Sequence, residues 1–403
     1  MKQRSRTVNR NDVRSVAAVI MLLGASLTGC DPQTSGALKP DPVDRPHGGG
    51  NYIQTNLVSD TGVDNTTTDA NLVNPWGLAF GPTTPAWVAD NGTGYSTIYD
   101  GNGVAQSLIV TLPLPPGSSE PHSKPTGLVY NGGDGFVITD GTNSGPARFI
   151  FATEEGTIIG WSPAVPPPPP STNGFIAVPP TGAIYKGLAL AGQGDSARLF
   201  ATDFHNAKID VFDSSFAPVD TTGQFIDPNL PDDFAPFGIA NIGGLIFVTY
   251  AMQDAAGEDD MPGPGLGYVD IYSQSGALIR RLISEGDLNA PWGLAKAPAK
   301  FGRFSNKLLV GNFGDGKIHA YNIQTGVSQG TLQQDDGSPI VIDGLWALVF
   351  GNGAHDQPKT SLFFTAGPVD ESHGLYGKIE SAHPQSGSDN EQGDDDQGGD
   401  DQG

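Results

Sequence analysis

Asn74-Pro75-Trp76-Gly77-Leu78-Ala79-Phe80 decides the fold, because the chain keeps returning to it. It recurs as Lys124-Pro125-Thr126-Gly127-Leu128-Val129-Tyr130, Tyr185-Lys186-Gly187-Leu188-Ala189, Ala235-Pro236-Phe237-Gly238-Ile239-Ala240 and Ala290-Pro291-Trp292-Gly293-Leu294-Ala295. A looser sixth copy reads Leu345-Trp346-Ala347-Leu348-Val349-Phe350. The Gly positions, with Ala347 in the last copy, lie 50, 60, 51, 55 and 54 residues apart. A period near fifty with strand-like segments inside it predicts an all-β protein, a six-bladed β-propeller. The phrase is the innermost strand of each blade, and Gly stands where the inner strands crowd the axis and a side chain costs space.

Working outward, apolar residues alternate at period two, as half-buried strands require. Second strands are expected at 86–90, 135–140, 198–203, 245–250, 307–312 and 361–366. Third strands are expected at 96–100, 157–161, 208–213, 268–272, 317–321 and 374–379. The sixth repeat stops after its third strand, so the segment 52–60 is expected to complete the last blade. That closure removes the open sheet edges that invite aggregation.

The ends of the chain read differently. Lys2, Arg4, Arg6, Arg10 and Arg14 precede a short apolar run, 16–27, that ends in Leu27-Thr28-Gly29-Cys30. The run is too short to span a bilayer and reads as a signal. The motif resembles the lipobox of bacterial lipoproteins, which implies cleavage after residue 29 and lipidation of Cys30. Cys30 is the only cysteine, so no disulfide supports the fold. The expected division is a signal peptide at 1–29, a Pro- and Gly-rich tether at 30–50, the propeller at 51–380 and an acidic, disordered tail at 381–403. The partner implied by Cys30 is a membrane, and the location is the bacterial cell envelope.

The formal net charge is −23. Such a field repels phosphate backbones and anionic headgroups, which argues against nucleic-acid binding. Cationic, metal and neutral ligands stay open, and a closed ring of this kind is expected to be a monomer.

A resemblance extends over 52–380. It is carried by Asn56-Leu57-Val58-Ser59-Asp60, Asn74-Pro75-Trp76-Gly77-Leu78, Ile209-Asp210-Val211-Phe212, Asn289-Ala290-Pro291-Trp292-Gly293-Leu294 and Asp343-Gly344-Leu345-Trp346-Ala347-Leu348. This pattern resembles a bacterial family of uncharacterised exported NHL-like propellers, some with PEP-CTERM sorting tails. The chain departs from it in its lipobox and acidic tail. The resemblance implies a fold and an exported location, and no reaction.

In a propeller the loops from second to third strand share a face with the loops entering each inner strand. Those loops are polar here, and they supply the candidate ligand-face residues Asp90, His122, Asp140, Asp203, His205, Asn312, Asp315 and His373. Oxygen-rich groups of this kind suit Ca²⁺, and the three histidines suit Zn²⁺. Asp, Asn and Gly are equally what tight turns demand. An acidic insertion, 253–266, lies on the same face in blade four, and Pro166–Pro170 lies on the opposite one. No catalytic motif is present, and no cofactor is indicated beyond Ca²⁺ as an option. Two functions follow: an envelope-anchored binding or scaffold module for a protein or small molecule, or a metal-dependent, lactonase-like hydrolase or lyase using the rim. The repeated phrase itself is expected to be scaffold, with function lying where the copies differ, in the rim loops and the insertion.

Overall fold

The computed structural model describes residues 51–382 apart from Asp64. The expected signal, Cys30, tether and all but the first two residues of the tail lie outside the described residues. Six antiparallel sheets are arranged in chain order as the blades of a propeller. The innermost strands are Pro75–Ala79, Pro125–Tyr130, Tyr185–Ala191, Phe234–Ile242, Pro291–Lys296 and Leu345–Phe350, the six copies of the phrase.

Each inner strand breaks register with its neighbour near the start of the phrase, as between Pro75 and Leu78 and between Tyr185 and Leu188. The break presses each Gly onto the next blade's inner strand. A β-carbon on Gly77 would stand 2.5 Å from the Thr126 carbonyl oxygen, and one on Gly293 2.6 Å from that of Trp346. Only a residue without a side chain allows backbones to approach this closely. Second-strand threonines satisfy polar groups that the break frees. Thr202 Oγ1 accepts from the Gly187 N–H at 2.6 Å and donates to the Phe237 carbonyl at 2.8 Å, linking blade three to blade four. Thr365 does the same between blades six and one, accepting from Ala347 N–H and donating to the Trp76 carbonyl at 2.6 Å.

Ring closure follows the expectation. Tyr52–Ser59 pairs antiparallel with Leu375–Ser381, and Thr67–Thr68 adds a short parallel strand outside it. Tyr52 is buried against Phe301 and Phe304 of blade five, with its hydroxyl donating to the Phe301 carbonyl. His373 Nδ1 lies 2.8 Å from Asp60 Oδ2 at the seam.

Blade two corrects the sequence reading. The second strand is Phe149–Thr153, not 135–140. Val137–Thr139 instead pairs with Ser144–Pro146 in a separate hairpin inserted between the first two strands. Both runs are apolar, but Phe149–Thr153 is buried throughout while Val137–Thr139 alternates exposed and buried. The longer spacing of 60 residues between the second and third copies contains this hairpin. Asp140 therefore sits on a turn at the opposite end of the strands from the rim where it was expected.

The closing strand buries Tyr52, Leu57 and Val58. Three such side chains are worth about 5 kcal/mol or more, comparable to the whole stability of many domains. Deleting residues 51–60 should therefore lower the melting temperature by at least 10 °C, of the order such a loss implies, or abolish soluble protein. A melting curve unchanged by circular dichroism would refute the closure.

Candidate functional site

The residue just before the Gly position of each copy of the phrase varies along the chain: Trp76, Thr126, Lys186, Phe237, Trp292 and Trp346. The register breaks bring these positions together around the axis. Trp76 stacks on Trp346 at 3.6 Å, while Trp292 and Phe237 meet Trp346 edge-on at 5.7 and 5.9 Å. Phe313 stacks on Trp346 from its loop at 4.1 Å. Into this aromatic layer the sequence places one lysine. Lys186 is 1 % exposed, with its ammonium 5.0 Å from the Trp76 ring centroid.

A buried ammonium needs a partner. Glu154, from the turn between the second and third strands of blade two, accepts from Lys186 Nζ at 2.6 Å. Asp259, from the acidic insertion, lies 3.5 Å away but is 78 % exposed, so water weakens that pair. Asn91 Nδ2 donates to the other Glu154 oxygen at 3.3 Å. Asn74, immediately before the first copy of the phrase, accepts from Trp346 Nε1 and donates to Glu371 at 2.6 Å. Glu371 comes from the corresponding loop of blade six.

The electrostatics follow. Burial pushes the Glu154 carboxyl up, but Lys186 and Asn91 outweigh it and hold it below its ordinary range. Burial pulls Lys186 down, and Glu154, Asp259 and Glu371 more than restore it. The pair is therefore ionised. Two further carboxyls are poorly compensated. Burial pushes Glu371 above its usual value despite the Asn74 hydrogen bond. Burial pushes Asp260 up to about 7, with Lys186 opposing and Glu371 adding to the shift. The Asp260 Oδ2 atom is buried and has no hydrogen-bond partner. At the mouth of the axis Lys186 thus pairs with Glu154 and Asp259 and acts at longer range on Asp260 and Glu371, while Lys124 acts on Glu154 from the side.

The insertion is strapped across this mouth. Gln253 Nε2 donates to the Phe204 carbonyl at 2.6 Å, His205 Nδ1 meets the Gly257 carbonyl, and Gly263 N–H donates to Asn289 Oδ1 at 2.7 Å. Beside it a cleft of about 310 Å³ is lined by Glu120, Lys124, Glu154, Glu155, Glu258 and Asp259, among others. Towards the other end of the axis, the inner strands enclose a cavity of about 340 Å³ lined by residues such as Leu128, Leu188, Ile239 and Leu348.

The residues singled out from the sequence mostly serve their own turns. Asp90 is buried and accepts from the Thr97 N–H, and burial raises its carboxyl well above the ordinary value. Asp203 accepts from Asn206 and faces Lys208. Asn312 donates to the Asp287 carbonyl and to Asp315, which pairs with Lys317. His122 Nδ1 faces the Ser123 carbonyl, and Asp140 accepts from Thr142 and Asn143 in its hairpin turn. His373 belongs to the seam. His205 touches the mouth through the insertion, and the His373 carbonyl accepts from the Asn74 N–H. Among the described residues, no three His, Cys, Asp or Glu side chains form a group able to hold a metal ion. Lys186, Glu154, Asn74, Asn91 and Glu371 were not singled out. The available signal was Lys186 itself, a charged residue at a position that is aromatic in four of the six copies.

Two mimivirus proteins (Acanthamoeba polyphaga mimivirus) resemble the chain over most of its length. "Uncharacterized protein R648" is 34 % identical over 87 % of this chain and 86 % of its own. "Uncharacterized protein L690" is 32 % identical over 87 % of this chain and 92 % of its own. No protein-family model matches. Among solved structures, virginiamycin B lyase from Staphylococcus aureus aligns with 82 % of this chain and 98 % of its own at 12 % identity and a TM-score of 0.45. The soluble aldose sugar dehydrogenase from Escherichia coli aligns with 82 % and 99 % at 14 % identity and a TM-score of 0.48.

Removing one member of a buried ion pair strands the other charge. Lys186→Met should cost on the order of 3 kcal/mol in urea unfolding, and adding Glu154→Gln should recover much of it. A single variant as stable as the parent, or a double variant with purely additive losses, would contradict the pairing.

Proposed function

The chain belongs to one family with the mimivirus proteins R648 and L690, and from its own geometry we propose that it is a ligand-binding β-propeller whose axial mouth takes an organic cation. The observation that carries this is the charge imbalance around Lys186. Glu154 and Asp259 pair with the Lys186 ammonium, Asp260 and Glu371 stand near it without pairing, and the buried Asp260 oxygen lacks a partner. An incoming ammonium or guanidinium supplies the missing donor and charge, and the aromatic layer beneath favours it through cation–π attraction of the kind Lys186 already makes. The chain's net charge of −23 steers cations towards the protein.

The finer reading is that the module is carried at a bacterial cell envelope by lipidated Cys30. Its support is the basic start, the short apolar run and Leu27-Thr28-Gly29-Cys30. Among the described residues no helix is long and apolar enough to cross a membrane. Several acyl chains on one cysteine would make the attachment stable.

Spermidine is a suitable probe for the mouth, titrated calorimetrically against the full chain. Asp260→Asn and Glu371→Gln should each weaken it about tenfold, as losing a charged hydrogen bond does. Asp260 must release a proton to hold a cation, and its pKa lies near 7 rather than 3.8. Affinity should therefore be highest above pH 7 and fall by up to about tenfold per unit below it. Absent heat, or affinity that is flat from pH 8 to 5.5 and unaltered in both variants, would remove this reading.

For the anchor, the full chain expressed in a bacterium should enter the detergent phase on Triton X-114 partition, and Cys30→Ser should leave it in the aqueous phase. Equal partition of the two would dismiss lipidation.

A further inference from the structure

The flank between blades one and two carries a pocket far from the mouth, at the ends of the strands remote from Lys186. Its origin is local. The outer strand of blade one is only Val110–Thr111, because residues 101–109 run as a loop. No long outer strand covers the side of blade two. The result is a cavity of about 500 Å³, within the range of small-molecule sites.

Three aromatic rings form its floor. Trp87 stacks on Phe149 at 4.0 Å with planes 13° apart, and Trp161 leans on Trp87 at 4.5 Å. Tyr130 stands edge-on to Phe149 at the wall. Gln106 and Arg148 line it as well. Arg148 Nη1 donates to the Gly133 carbonyl at 2.8 Å, which fixes the fork in place. The nearest carboxylate is Asp134, 3.9 Å from Nη2 and fully exposed, so it neutralises the guanidinium weakly.

We propose that this pocket is a second binding site, for a planar aromatic acid. The stacked floor suits a flat ring system, which gains most from offset or edge contacts with other rings. The planar guanidinium suits a carboxylate, which it can meet with two parallel hydrogen bonds. The chemistry is opposite to that of the mouth: an anion here, a cation there. The two sites therefore take different ligands and stand or fall separately.

The probe is 2-naphthoate, with the neutral 2-naphthalenemethanol as control, each titrated calorimetrically into the full chain. Trp87 and Trp161 are two of five tryptophans, so tryptophan fluorescence should change in step. The expected result is saturable one-to-one binding of the acid. Arg148→Met should weaken the acid about tenfold while moving the alcohol less than twofold. Leu108→Phe, which narrows the pocket, should weaken both. Melting curves establish that each variant is folded. If Arg148→Met does not fold, Arg148→Lys keeps the charge but loses the fork, and should weaken the acid several-fold relative to the alcohol. Absence of saturable binding by the parent, or equal affinity for the acid in parent and Arg148 variants, would overturn the assignment.

Discussion

The structure depends on the close approach of neighbouring inner strands around the axis. At each Pro-x-Gly the strand leaves register, and the glycine lies against the backbone of the next blade where a β-carbon has no room. Threonines from the second strands take up backbone groups freed by the break and bond across to the next blade. This contact holds the blades to one another through their backbones, alongside the aromatic side chains that meet at the axis. It also leaves the x side chains gathered in one layer, so the same geometry that closes the ring builds the floor of the mouth.

Placing a lysine in that layer has consequences. An ammonium 1 % exposed is tolerable only with a carboxylate beside it and an aromatic face beneath it, and Glu154 and Trp76 supply these. Asp259 and Asp260 arrive on the insertion of blade four and Glu371 on a loop of blade six, so three separate blades add carboxyls around a cation from blade three. Attraction to one ammonium does not balance them all. The excess appears as carboxyls displaced above their ordinary range and as one buried oxygen without a donor. A site so arranged is stable enough to form and still short of positive charge.

Much of the scaffold was legible in the residues. The six inner strands, five of the six second strands and the closing strand 52–59 follow from phrase, period and alternation. The failure in blade two is instructive. Residues 135–140 satisfy the local strand pattern, and they do form a strand, but in an added hairpin. Alternation reports a strand's exposure to two environments, not which sheet it joins. Phe149–Thr153 shows no alternation because it is buried on both faces. The aspartates at strand ends were read as possible ligands, yet most are turn caps, since a carboxylate close to its own following N–H groups satisfies them first.

The sequence by itself determined the number of blades, the axis-facing strand, the seam and the acidic character of the chain. These rest on periodicity, backbone freedom and charge, which are properties of residues in order. Only the tertiary structure decided which side chains meet. Lys186 and Glu154 are 32 residues apart, and Glu371 reaches Asn74 across 297, so neither relation leaves a local signature. The phrase that was expected to be scaffold alone carries the central residue of the candidate site. Its glycine is fixed by the close approach of strands, whereas the residue before it is fixed only by what gathers around the axis.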